Sequence, residues 1–260
     1  MDRRTFNQSL GAAVLTPMLS EQLFAAGSAA APLQIGMLLY PGMYALDLVG
    51  PYAFLAGLPN VETHLLWKSL EPVATINGMR LVPNSLLSAC PKQLDVIFVP
   101  GGTPGTIALM QDNEVLDFLG DRGERARYVT SVCTGSLILG AAGLLRGYKA
   151  TSHWHKRDLL PLFGAVPVEE RIVEDRNRIT GGGVTSGIDF GLVLASRLRG
   201  VDAAKLQQLI NEYDPQPPFE AGTPSKAGPD LTAQANQSLA RGYEQSRAAA
   251  QIARKRLGLV

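Results

Sequence analysis

One stretch constrains the fold more than any other. Tyr128-Val-Thr-Ser-Val132 is followed at once by Cys133-Thr-Gly-Ser-Leu-Ile-Leu-Gly-Ala-Ala142. The first part is rich in β-branched residues and reads as a buried strand. The second, from Thr134 to Ala142, has the small and apolar residues of a packed helix, and no linker separates the two. A strand that turns directly into a helix is the building unit of an α/β fold. The expected architecture is a doubly wound, mostly parallel sheet with helices on both faces. Asp95-Val-Ile-Phe-Val99 repeats the pattern: a continuously apolar run, as a central parallel strand requires, stopped by Pro100-Gly101-Gly102. Leu33 to Tyr40 before Pro41-Gly42 does so again.

Further elements follow from periodicity. Val61 to Trp67 alternates like a strand, and Val73 to Pro83, with Asn77-Gly78 inside, reads as a hairpin. A second hairpin is expected around Arg176-Asn177-Arg178, between Ile172 and Ile179. Helices are expected over Asp47–Ala56, Glu114–Arg125, Ser186–Leu198 and Ala203–Tyr213. Residues 31–213 thus form the α/β domain. Residues 214–229 hold five prolines and read as an extended arm. Residues 230–260 are Ala-rich and helix-prone, with Leu239, Tyr243 and Ile252 as a sparse apolar face. They read as a docked appendage or dimer contact.

Residues 1–30 resemble a twin-arginine export signal: Arg3-Arg4-Thr5-Phe6, an apolar stretch from Leu10 to Leu19, then small residues, with Ala30 as the expected cleavage point. That predicts a periplasmic protein; without export it is cytoplasmic. Across the chain, apolar residues make up 46% and charged residues 18%, which excludes global disorder. Lys and Arg number 24 against 23 Asp and Glu, so no basic excess points to nucleic acid. Two cysteines exclude a disulfide scaffold. No apolar run approaches the roughly 18 residues of a membrane span.

Chemistry concentrates at Cys133. A residue at a sharp strand-to-helix turn, flanked two positions away by small Ser131 and Gly135, has the geometry of a nucleophile elbow. The start of the following helix should favour the thiolate and lower the thiol pKa. Cys90, in a polar stretch before Pro91, reads as structural. The histidines are His64, His153 and His155. His64 sits in a strand pattern and reads as structural. His153 follows Lys149-Ala-Thr-Ser, expected to be a short strand beside the cysteine strand, and is either a pocket residue or a structural histidine. His153-Trp-His155 lacks a third ligand, so no metal is expected. Asp47 lies past the first strand between apolar flanks and is either a carboxyl acting on Cys133 or a helix N-cap. Gly101 and Gly102 could turn backbone N–H groups toward the pocket as an oxyanion hole. No G-x-G-x-x-G or P-loop supports a phosphate cradle there. Gly181-Gly-Gly183 reads as a tight turn into a helix.

Taken together, Asp47-Leu-Val-Gly-Pro51, Asp95-Val-Ile-Phe-Val-Pro-Gly-Gly102, Ser131-Val-Cys-Thr-Gly-Ser136, Gly143-Leu-Leu-Arg-Gly147, Ala150-Thr-Ser-His-Trp154 and Gly183-Val-Thr-Ser-Gly-Ile-Asp189 resemble the ThiJ/PfpI family. The resemblance runs from about residue 33 to residue 223 and implies a flavodoxin-like, class I glutamine amidotransferase-like fold. Cys-Thr-Gly, the early Asp47 and the arm Tyr213-Asp-Pro-Gln-Pro-Pro-Phe219 are most similar to the isonitrile hydratase branch. By that resemblance Cys133 is the nucleophile, Asp47 the acid that hydrogen-bonds it, Thr134 the adjacent hydroxyl, and Gly102 the strand-end glycine whose N–H faces the pocket. It also implies a small-molecule substrate, a homodimer and no cofactor. Family proteases carry Cys-His-Gly where this chain has Thr134, and amidotransferases need a late histidine. Family regulators add a helix-turn-helix domain, for which the residues after Tyr213 leave no room. A glyoxalase-like enzyme acting on reactive carbonyls and a cysteine redox sensor stay open as alternatives.

Overall fold

The computed structural model describes residues 31–259; the export segment and its Ala30 boundary lie outside the described residues. The chain opens with β1 (Leu33–Leu38), α1 (Ala45–Leu55) and β2 (Val61–Trp67). Short strands β3 (Val73–Ala74), β4 (Arg80–Leu81) and β5 (Ser85–Leu86) follow. Next come β6 (Val96–Val99), α2 (Thr103–Leu109), α3 (Asn113–Arg125), β7 (Tyr128–Val132) and α4 (Gly135–Ala141). Strand β8 (Lys149–Ala150), a 3-10 helix (Trp154–Phe163) and strands β9 (Val166–Pro167), β10 (Ile172–Asp175) and β11 (Arg178–Gly181) lead on. Three helices end the chain: α5 (Ser186–Arg199), α6 (Val201–Ile210) and α7 (Pro224–Arg256).

Seven strands form the main sheet in the order β10-β11-β7-β6-β1-β2-β5, parallel throughout except for the β10–β11 hairpin. The apolar runs occupy the middle. All four residues of β6 are fully buried, as both faces of a parallel sheet covered by helices demand. Register brings Val99 of β6 beside Ser131 of β7, and Val132 beside Gly181 of β11. The carboxyl ends of β1, β6, β7 and β11 therefore open side by side. Open α/β sheets bind ligands at this edge.

Three local expectations are corrected. Lys149–Ala150 does not run beside the cysteine strand; it pairs with Val166–Pro167 in a separate ladder. Both edges of β7 are already taken by β6 and β11. The segment reaches the site another way: Thr151 N–H donates to Thr180 Oγ1 at 2.9 Å. Asp47 is not an N-cap. Helix α1 starts at Ala45 behind Tyr44, which makes no side-chain cap, and Asp47 falls within the first turn. The third concerns the tail. Helix α7 begins at Pro224, turns at Gly228 (φ 79°, ψ 172°) and continues from Pro229. Proline at a first helical position loses no hydrogen bond, so these residues start helix rather than prevent it. The docked face is made of Ser246, Ala249, Ala250 and Ala253. Ile252 instead points outward at 54% exposure. Small residues at i, i+3, i+4 and i+7 let α7 lie close against α2, α4 and the 3-10 helix. Among the described residues no helix is long and apolar enough to cross a membrane.

Candidate active site

Cys133 adopts φ 53°, a left-handed conformation that costs a side-chain-bearing residue on the order of 1–2 kcal/mol. The surroundings hold it there. Its N–H donates to the carbonyls of Gly182 at 2.7 Å and Gly181 at 3.1 Å. Its carbonyl accepts from Ser152 Oγ at 3.0 Å and Ser136 Oγ at 3.2 Å. The turn also needs a glycine behind it: a Cβ at Gly135 would lie 2.2 Å from the Val99 carbonyl oxygen. The elbow read from the sequence is present, and Ser152 is a support that the sequence reading missed. Its place directly before His153 was the available signal.

Asp47 is fully buried. Its Oδ2 accepts from Gly101 N–H at 2.8 Å, and the carboxyl interacts with the Cys133 thiol. Oδ1 is otherwise unpartnered. Gly102 N–H donates to Thr134 Oγ1 at 2.9 Å, and that hydroxyl lies 2.7 Å from Thr106 Oγ1. The two strand-end N–H groups are therefore occupied. Gly101 and Gly102 do not present an open oxyanion hole; Gly101 fixes the acid and Gly102 fixes Thr134. Thr134, 2% exposed, bridges Gly102 and Thr106 instead of offering a free hydroxyl. Thr106 went unnoticed because a threonine in a helix carries no local signature. No side chain would fit at Gly101, where a Cβ would stand 2.5 Å from Thr134 N and 2.8 Å from Cys133 Cβ. Gly102, at φ 136°, is likewise closed to a side chain: its Cβ would strike Met43 Cα at 2.6 Å.

The electrostatics reverse one expectation. Burial pushes the Asp47 carboxyl up to about 7, against the opposing pull of Gly101 N–H and the thiol. Burial, and then the Asp47 charge, push the Cys133 thiol well above its ordinary range. The N–H groups of Val184 and Thr134 act in the other direction but are outweighed. The following helix is only seven residues long, so its dipole does not acidify the thiol by itself. Asp47 and Cys133 titrate as a pair. Protonating Asp47 withdraws the second of the two influences that raise the thiol; burial, the larger, remains.

A cleft of about 350 Å³ opens next to the elbow, lined by Ser152, His153, Gly182, Val184 and Ser186 among others. His153 packs against Gly183, where a Cβ would meet its ring at 2.8 Å. Burial, chiefly, lowers its pKa to about 4. Its Nδ1 accepts from His155 N–H at 3.3 Å, leaving the proton of the neutral ring on Nε2. His153 is thus a neutral residue of the cleft wall. Elsewhere, His64 Nε2 pairs with Gln34 Oε1 at 2.6 Å, and Cys90 is buried away from the site. Among the described residues no cluster of three metal-ligating side chains occurs.

The model of the DJ-1/PfpI family matches residues 34–197. The chain belongs to this family. Within it, isonitrile hydratase of Pseudomonas putida is 56% identical over 195 residues, 75% of this chain and 85% of that protein. A ThiJ/PfpI family protein of Pseudomonas syringae superposes with TM-score 0.84 and 47% identity, covering 93% of this chain and 99% of that one. The transcriptional regulator GbdR of Pseudomonas aeruginosa is 30% identical over 191 residues, which span 51% of the regulator. The α/β fold with a mostly parallel seven-stranded sheet is DJ-1-like, shared with a DJ-1 superfamily protein of Salmonella typhimurium at TM-score 0.63 and 28% identity.

Proposed function

We propose that this protein hydrates a small isonitrile to the N-substituted formamide, with Cys133 as nucleophile and Asp47 as proton donor. The observation that carries the reading is the fully buried Asp47 carboxyl, tied to Gly101 N–H and set against a cysteine on a strained elbow. Similarity to a protein named isonitrile hydratase supports the choice of substrate. The terminal carbon of an isonitrile is electrophilic and accepts the thiolate. As the C–S bond forms, negative charge grows on the same carbon, and Asp47 delivers its proton there. The product is a covalent thioimidate. Water then adds to its carbon; one water proton passes to the Asp47 carboxylate and the other ends on nitrogen. The C–S bond breaks, the formamide leaves, and the pair returns to an acid beside a thiolate. A proton donor working near neutrality needs a pKa near 7, which burial gives Asp47.

The test is formamide formation from a simple aromatic isonitrile by the purified protein. Turnover should vanish in Cys133→Ala and in Asp47→Asn while both stay folded. A folded wild-type protein that alkylates at Cys133 but makes no formamide would refute the substrate assignment.

Two further readings belong to the same proposal. The protein works as a homodimer, and the apolar residues Leu206, Leu209, Ile210 and Phe219, all exposed, are consistent with a buried contact. Light scattering at micromolar concentration would report a monomer if this is wrong. Residues 1–30 direct twin-arginine export to the periplasm, supported by Arg3 and Arg4. Replacing both with Lys should trap the precursor inside the cell; unchanged fractionation would refute export.

A further inference from the structure

The wall of the cleft beside Cys133 is built from segments that are held in different ways. Ser152 Oγ donates to the Cys133 carbonyl at 3.0 Å, and the Gly182 carbonyl accepts from Cys133 N–H at 2.7 Å. Arg171 is tied in next. Its carbonyl accepts from Gly182 N–H at 2.9 Å, and its guanidinium pairs with Asp189 of α5. These parts of the wall are bonded to the backbone of the nucleophile, directly or through one residue. A further part, Gly222 to Pro224, belongs to the connection between α6 and α7. Its anchors lie elsewhere. At one end Tyr213 OH donates to Asp189 at 2.6 Å; at the other, Thr223 Oγ1 accepts from Lys226 N–H at 3.3 Å as the cap of α7. This segment can therefore shape the cleft without disturbing the elbow.

Gly222 has no structural reason to be glycine. Its φ lies outside the left-handed region, and a Cβ there would meet nothing within 4 Å. Gly183, on the same wall, differs: a Cβ there would come within 2.8 Å of the His153 ring. A glycine that neither backbone nor packing requires widens the unfolded ensemble without structural return. Trp154 shares the cleft wall with Gly222, and both also border a second hollow of about 140 Å³ at the start of α7. The Trp154 ring is set between those of His153, with centroids 5.7 Å apart, and His155, at 5.2 Å. A fixed aromatic ring and a bare stretch of backbone thus bound the same space.

The carbon, the nitrogen and the first atom of the substituent in an isonitrile lie on one line. With the terminal carbon at the Cys133 sulfur, the substituent points away from the sulfur, into the cleft. We propose that Gly222 is a specificity-determining residue of this site: the side chain it lacks leaves room, beside Trp154, for a ring-sized substituent on the isonitrile nitrogen. The identity of the substrate rests on the hydratase reading. The room itself is a property of the cleft and is measurable without an isonitrile.

The experiment fills the space with Gly222→Phe in the full chain and compares a large with a small reagent. Cys133 is first labelled with N-phenylmaleimide and with N-methylmaleimide, with Cys133→Ala as the blank. The phenyl-to-methyl ratio of rates should fall by about tenfold or more relative to wild type, the scale on which a misfit of a few carbon atoms is felt in a pocket. Formamide formation from phenyl and ethyl isonitrile should then show the same fall in the ratio of kcat/KM values. A ratio cancels any general loss of folded protein or of thiol reactivity, which a merely structural role would produce. If Gly222→Phe does not fold, Gly222→Val makes the same comparison. A folded variant whose maleimide ratio stays within about twofold of wild type would overturn the inference, and so would an unmoved isonitrile ratio. If wild type turns over neither isonitrile, the hydratase reading fails, and the maleimide ratio alone decides whether Gly222 bounds the cleft.

Discussion

Replacing Asp47 with asparagine should abolish turnover and yet make the protein more stable at alkaline pH. An Asp carboxyl titrates near 3.8 when unfolded and at about 7 in this fold. The folded chain therefore binds more protons than the unfolded chain between those values. With the proton count higher in the native state, stability falls as pH rises through that window. At about pH 8 nearly the whole shift is expressed: some three units, or about 4 kcal/mol. At about pH 5 only roughly 1.7 kcal/mol of it is expressed, because the native carboxyl is still protonated. Asparagine keeps an amide oxygen for Gly101 N–H and never ionises. The variant should therefore gain on wild type by about 2–3 kcal/mol between about pH 5 and pH 8. Urea unfolding at the two pH values, read by tryptophan fluorescence and circular dichroism, measures this difference. Parallel pH–stability curves, or a variant less stable than wild type at the higher pH, would refute a carboxyl held neutral by burial.

Two other substitutions probe the same turn. Thr134→Val removes the acceptor of Gly102 N–H and leaves a buried donor unpaired, which should cost about 1–3 kcal/mol in chemical denaturation while Cys133 stays alkylatable. A loss under about 0.5 kcal/mol would mean that Gly102 finds another partner. Gly101→Ala forces a Cβ to within 2.5 Å of Thr134 N, a backbone atom that cannot rotate away. It should lower formamide formation by about 100-fold or more, since small displacements of catalytic groups have that effect. Near-normal activity would show that the Gly101–Gly102 segment can shift.

The strands that carry the site were legible because their apolar runs are continuous, as in Asp95–Val99, and their turns are marked by Pro and Gly. Cys133 was legible because strand and helix meet at it with no spacer. Hydrogen-bond direction was not. Nothing in Gly101-Gly102 shows whether an N–H faces solvent, a substrate or a neighbouring side chain. Only the register of β6 against β7 and the position of α1 decide that both are occupied. The pKa order of the pair was hidden for the same reason: burial of Asp47 and Cys133 is a tertiary property. On the tail, the expected apolar face holds at Tyr243, which packs against the core, and fails at Ile252. Leu239 and Ile252 look like a packing face, but a helix that must lie close to its neighbours packs through Ser246, Ala249, Ala250 and Ala253.

The unfavourable features of this molecule gather at one point. Cys133 sits at positive φ, and Asp47 is ionisable and buried. Each weakens the fold when taken alone. They become compatible when considered as one charge system. A proton on Asp47 makes that carboxyl neutral and removes the charge that repels a thiolate, and the strained elbow holds the sulfur beside it. The sheet core on which they stand, with β6 buried along its whole length, is rigid enough to keep them together. Asparagine at 47 locks the position beside the thiol in an uncharged form, so it should lower the midpoint of Cys133 alkylation by iodoacetamide against pH. A midpoint that stays where wild type has it would mean that burial alone sets the thiol and that the Asp47 charge does not act on it.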